Sequence, residues 1–195
     1  ICTALGVFSL SRLIDMEQHS ATITGDCMPG VYLTGQMEAC IRENYANTLE
    51  HLLTEDPAEL KRLDELMAAV SQRQTDVLKQ YEATPKDEQD RELFAPVQQA
   101  RDAYLKARRD LLALSRQGKK REAAASLNDQ IKPLLTTYLQ SVRTLTDFNR
   151  SNSIEASAGI TASVASGKKG TYGGLAAAVV IGLAVSVVIT RGVSR

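Results

Sequence analysis

Arg101, Tyr104 and Arg108 lie three and four residues apart in a stretch whose other residues at that spacing are Phe94, Val97, Leu111 and Ser115. That spacing marks one face of a helix, so two guanidinium groups, two turns apart, flank a phenol. A guanidinium in an apolar seam is costly unless an anion meets it. Its planar fork of donors matches a carboxylate with two parallel hydrogen bonds. The chemistry these residues suit is recognition of a di- or tricarboxylate rather than bond making. Ser71 and Gln74 on the preceding helical segment, and Tyr138 with Thr136 and Thr137 on the following one, offer hydroxyl and amide groups to face the two cations. An ordinary reading stands beside this one. The arginine heads reach water over their apolar stems, or pair with Asp or Glu of a neighbouring helix or subunit, or rest loosely against Gln98 and Asp102.

Other reactive types are scattered. His19 and His51 have no metal-ligand spacing, and no phosphate-binding loop, nucleophile elbow or zinc motif occurs. The sequence therefore implies no catalytic residue, metal or cofactor. Asp64-Glu65 and Glu88-Asp90-Glu92 read as solvated helix faces, and Arg116, Lys119, Lys120 and Arg121 as a solvated basic turn. Cys27 and Cys40 are thirteen residues apart, about 20 Å along one helix, too far to bond each other. They read as small apolar side chains, with pairing to a second copy as the alternative. With 23 basic and 23 acidic residues in 195, the chain lacks the excess expected of a nucleic-acid binder.

The elements that must position these residues are all helical. The chain is rich in Ala, Leu, Gln, Glu, Lys and Arg, with no Trp, three Phe and five Pro. A first helix is predicted over 10–53, interrupted near Gly25–Gly30 where Pro29 removes a backbone donor. Its apolar steps are Val31, Thr34, Met37, Ile41, Tyr45, Thr48 and Leu52. Thr54 or Asp56 caps a second helix from Pro57 to about Ala83, with Leu60, Leu63, Met67, Val70, Gln74, Val77 or Leu78, and Tyr81 facing inward. After a break at Thr84–Asp87, the third helix spans Asp87 to Arg116 and closes on Gly118. The fourth starts near Lys119, bends at Pro133 and runs on through a small, polar stretch after Ser151; a flexible Ser/Gly linker is the alternative there. Short connections make neighbours antiparallel, so the expected fold class is all-α, an elongated up-down-up-down four-helix bundle.

The chain's ends differ from its middle. Residues 170–190 carry no charge and include LAAAVVIGLAVSVVI, about 30 Å of helix, enough to cross a bilayer. Lys168 and Lys169 precede this stretch and Arg191 follows it. Residues 1–11 are also uncharged and read as the end of a first membrane helix. The expected organisation is thus 1–11 and 170–190 as membrane helices, 12–169 as the bundle on one side, and 191–195 on the other. The second and third helices cover only the far half of the long pair, so a homodimer is expected to bury the rest.

The ordered set resembles the four-helix-bundle sensory domains of methyl-accepting chemotaxis proteins, the bacterial chemoreceptors. It comprises Met28-Pro29, Ile41-Arg42-Glu43, Glu55-Asp56-Pro57, Tyr81-Glu82, Leu111 to Ser115 before Gly118-Lys119-Lys120, and Glu122-Ala123-Ala124, between two apolar segments. The resemblance implies a homodimer in the bacterial inner membrane, with the bundle in the periplasm and a HAMP linker and signalling module beyond 191–195. Some sensors of this class detect tricarboxylic-acid-cycle intermediates through an Arg-x-x-Tyr-x-x-x-Arg pattern, which Arg101, Tyr104 and Arg108 match; Tyr138 is a partner, with Ser71 and Gln74 behind it. Amino-acid-sensing relatives carry several arginines along the first helix, whereas only Arg42 follows Arg12 here. That departure disfavours an amino-acid ligand. The alternatives are the same input domain on a histidine kinase or cyclase, and a structural helical spacer.

Overall fold

The structure, a computed structural model, describes residues 2–84 and 88–193. Asp87, Pro85, Lys86, Ile1, Ser194 and Arg195, on which some expectations fell, lie outside the described residues. The elements are α1 (Cys2–Thr22), a π-turn (Ile23–Cys27), α2 (Met28–Leu53), α3 (Pro57–Ala83), α4 (Glu88–Arg116), α5 (Lys120–Ser126), a second π-turn (Leu127–Ile131) and α6 (Lys132–Val193).

The two breaks foreseen at prolines take the form of these π-turns. A proline ring clashes with the carbonyl four residues before it. For Pro29 and Pro133 those carbonyls belong to Gly25 and Asp129, each inside the π-turn that precedes the proline. Widening one turn relieves the clash while the chain stays helical. The remaining ends follow local chemistry. Asp56 accepts a hydrogen bond from Ala58 N at 3.1 Å, with Pro57 in the first turn of α3. Gly118 ends α4 at φ +71°, and the backbone bonds Lys119 N to Leu114 O and Gly118 N to Ser115 O form the reverse turn that closes a helix.

The chain divides into two compact units, Gly25–Asn152 and Ile1–Thr24 with Ser153–Arg195. In the first, cross-helix pairs fix the directions. Asn44 meets Ser71 and Glu43 meets Arg73, which opposes α2 and α3. Ser71 meets Arg108 and Asp64 meets Arg116, which opposes α3 and α4. Glu38 meets Arg143 at 3.5 Å, and Asn149 packs over Gly30, while Gln74 meets Tyr138 and Tyr81 meets Asn149. Hence α6 opposes α2 and runs with α3, giving an antiparallel four-helix bundle.

The core holds Leu33, Met37, Ile41, Leu63, Met67, Val77, Tyr81, Phe94, Val97, Tyr104, Leu111, Ile131, Tyr138, Val142 and Leu145. On α3 the buried line is close to the one expected, with Leu60 only half-buried. Two helices differ. On α2, Val31, Tyr45 and Leu52 are half-buried, while Gly30, Leu33, Cys40, Asn44 and His51 face inward. Polar links from Asn44 and His51 to other helices turn that face away from the purely apolar line. On α4, Ala100 and Ala107 join Tyr104 and Arg108 in the interior, and Arg101 sits on the flank. Small alanines let the helices approach; a long arginine in their place would hold them apart.

In the second unit α1 lies antiparallel to the later part of α6. Gly159, Gly170 and Gly174 face His19, Phe8 and Leu5, and a Cβ at any of the three would collide with that side chain. Arg12 sits 5.7 Å over the Phe8 ring and pairs with Asp15 at 3.1 Å. The stretch after Ser151 is helix rather than linker. Beyond Tyr172 its large apolar side chains, including Leu175, Val180, Leu183 and Val188, are exposed.

Candidate ligand-binding site

Arg108 reaches the site because its place four residues after Tyr104 and three before Leu111 leaves it inside the bundle, at 8% exposure. Its Nη2 donates to Ser71 Oγ at 3.0 Å, and its guanidinium lies 5.9 Å from the Tyr104 ring centre. Arg101, half-buried, donates through Nη2 to Thr75 Oγ1 at 2.9 Å. Its Nη1 stands 3.8 Å from the exposed carboxylate of Asp102, a contact that water weakens. On the opposite wall Gln74 Nε2 donates to Tyr138 OH at 3.1 Å, and the Tyr138 and Tyr104 rings are 6.1 Å apart. From α2, Asn44 Nδ2 donates to Ser71 Oγ at 3.4 Å. The expected residues Arg101, Tyr104, Arg108, Ser71, Gln74 and Tyr138 are thus brought into one polar cluster in the middle of the bundle.

The charge balance of the cluster is one-sided. No carboxylate lies within ion-pair distance of Arg108 among the described residues. Arg101 Nε and Asn44 Oδ1 are buried without a protein hydrogen-bond partner among the described residues, and Arg108 Nη1 has no neighbour beyond the Tyr104 phenol to satisfy it. Each such atom costs roughly 1–3 kcal/mol, more for a charged one. Burial pushes the Tyr104 phenol up to about 12, against the neighbouring Arg108 charge. Burial also raises Tyr138, opposed by Arg101, and lowers the Arg108 guanidinium, which stays protonated at neutral pH. The site therefore holds two fixed cations and two neutral phenols, with spare donors, no carboxylate at Arg108 and only the exposed Asp102 beside Arg101. Such a set is chemically suited to an anion with oxygens in a planar fork.

Thr136 and Thr137, expected here, are exposed and bond back to Lys132 O and Pro133 O of their own helix. Asn44 and Thr75 were not expected here. Asn44 left a signal, a polar residue between Ile41 and Thr48 on an inward line, of the same kind that singled out Arg108. Thr75 left none, since it flanks the inward line of α3. A separate cleft of about 450 Å³ beside Phe94 and Gln98 lies nearer the start of α4.

His51, read as isolated, is fully buried at the end of α2. Its Nδ1 is 3.0 Å from Ser115 Oγ and its Nε2 is 3.6 Å from Asp64 Oδ1. Serine, histidine and aspartate meet here, yet Ser115 is 2% exposed and donates to His51 O at 3.1 Å. The hydroxyl proton is thus held by the His51 carbonyl rather than by the imidazole. The basic turn is also more than a solvated one: Lys120 Nζ donates to Thr54 O at 2.9 Å and Arg116 grips Asp64 with two bonds at 2.6 and 3.1 Å.

A family model for a four-helix-bundle sensory module for signal transduction matches residues 1–164. The chain belongs to this family. It is a sensory module of a signal-transduction receptor, and the module itself is non-catalytic. Among solved structures it is similar to one described as the periplasmic sensor domain of a sensor histidine kinase, at 18% identity and a TM-score of 0.56. The likeness covers 75% of this chain and 93% of that one, and at this identity it is a likeness of fold. A search of the curated proteins found no match.

Proposed function

We propose that this sensory module binds a small di- or tricarboxylate among α2, α3, α4 and α6, with Arg101 and Arg108 on the carboxylates. Tyr104, Tyr138, Ser71 and Gln74 shape the rest of the site. The observation that carries the proposal is Arg108: a buried guanidinium without a carboxylate at ion-pair distance among the described residues, beside the buried Tyr104 phenol. A buried cation of this kind is stabilised when a ligand supplies the missing charge. We further propose that the bundle is the periplasmic part of a homodimeric inner-membrane chemoreceptor, anchored through 1–11 and 170–190. The exposed apolar run in α6, with a mean hydropathy of 2.3 over its best window, supports the anchoring. The histidine-kinase sensor of similar fold keeps a kinase output as the second reading.

A thermal-unfolding screen of organic acids tests the ligand. An acid at 100 times its dissociation constant adds about 2.7 kcal/mol, roughly 5–10 °C for a chain of this size. Arg108→Ala should weaken such an acid at least thirty-fold, on the order of 2 kcal/mol, and Arg101→Ala somewhat less. An acid that binds equally well to both variants binds elsewhere, and the proposed site is then wrong.

A further inference from the structure

We propose that Asn44 reads a hydroxyl group on the ligand, so that the site selects hydroxylated dicarboxylates over plain ones; the inference rests on the carboxylate reading above. The hydroxyl of Ser71 donates its one proton to Met67 O at 2.7 Å. Its oxygen is left to accept, and it does so from Arg108 Nη2 at 3.0 Å and Asn44 Nδ2 at 3.4 Å. That fixes the amide: with its oxygen turned to Ser71, Asn44 would face a lone pair with no proton between them. Asn44 Oδ1 is consequently an acceptor inside the site, on a residue 1% exposed, without a protein donor among the described residues.

Arg101 Nε and Arg108 Nη1, the unpaired nitrogens of the site, are donors, and carboxylate oxygens satisfy them. A carboxylate carries no proton at neutral pH and leaves Asn44 Oδ1 unmet. The complete set is satisfied by a molecule with two carboxylates and one O–H. An ammonium would also donate, but two guanidinium groups repel it, and the nearest carboxylate, Asp102 beside Arg101, is exposed and screened by water. A site with a buried polar group of this kind discriminates against the analogue lacking its partner.

Titration calorimetry of the whole 195-residue chain in lipid nanodiscs, with succinate, malate and aspartate as probes, decides the matter. Malate is expected to bind roughly ten-fold tighter than succinate, the size of one buried hydrogen bond, and tighter than aspartate. In Asn44→Leu the ratio of malate to succinate affinity should fall to within about two-fold. Asn44→Ala serves the same comparison if the leucine variant does not fold. Equal binding of malate and succinate, a preference that survives at residue 44, or tighter aspartate binding overturns the role of Asn44 and leaves the carboxylate site standing. Failure of all three acids to bind removes the dicarboxylate reading, and the Asn44 inference with it.

Discussion

At the scale of single residues, the bundle separates polar groups that hold it together from those it leaves unmatched. The Tyr81 hydroxyl donates to Asp90 Oδ1 at 2.6 Å and accepts from Asn149 Nδ2 at 2.8 Å, a closed network that ties three helices. Arg108, Tyr104 and Asn44 form no such closed set. His51 belongs with the structural groups, and its protonation gives a test of that assignment. Burial lowers its pKa from 6.5; Asp64 opposes the shift, while Arg116 and Lys120 reinforce it. The unfolded chain then takes up a proton near pH 6.5 that the folded chain takes up only at lower pH. Stability contributed by this group is complete above pH 6.5 and is lost as pH falls toward the folded value. Urea midpoints measured from about pH 7.5 to about pH 5.5 should decline, and His51→Gln should flatten the decline. A variant with the wild-type slope would assign that slope to other groups.

At the scale of the helices, close approach is set by a few small residues. Asn149 occupies the space that a Cβ on Gly30 would need, and Asn149 is itself held by Tyr81 OH and Leu145 O. Gly30→Ala should therefore cost about 1–3 kcal/mol through forced repacking of α2 against α6. Gly35 on the same helix is exposed and has open space around it. Gly35→Ala should instead add about 0.5–1 kcal/mol, since alanine restricts the unfolded chain and suits a helix. Chemical denaturation of the two variants separates the effects. Gly30→Ala as stable as wild type would mean that Asn149 moves aside without loss. The π-turns before Pro29 and Pro133 follow the same logic, because each accommodates a ring without ending the helix.

At the scale of the whole molecule, the bundle buries its apolar residues, whereas α6 after Tyr172 exposes Leu175, Val179, Val180, Ile181, Leu183, Val185, Val187, Val188 and Ile189. So continuous an apolar surface requires a cover, and the proposed one is lipid. The chain should stay with the membrane pellet after alkaline carbonate extraction. Val180→Arg places a charge near the middle of the span, at about 2.5–3.5 kcal/mol for insertion, and should shift a measurable fraction into the supernatant. Wild-type protein released by carbonate would overturn the anchoring. In the membrane setting, the glycines facing Leu5 and Phe8 would let α1 and α6 pack closely where water no longer drives association.

Local rules were enough for much of this. Apolar spacing, the Asp56-Pro57 start and the Gly118 stop marked the helices, because caps and periodicity act over a single turn. The short connections set their antiparallel order. The inward cation Arg108 on α4 also announced itself, since charge in an apolar seam stands out without any knowledge of its neighbours. What the residues beside it do was a different matter. That Ala100 rather than Arg101 faces the centre, that Thr136 and Thr137 turn outward, and that Asn44 and Thr75 enter the site depend on how four helices rotate against one another. Packing volume and cross-helix hydrogen bonds govern that rotation, and both exist only once distant segments meet. The isolated appearance of His51 had the same origin: Ser115 is 64 residues away in sequence and 3.0 Å away in the fold.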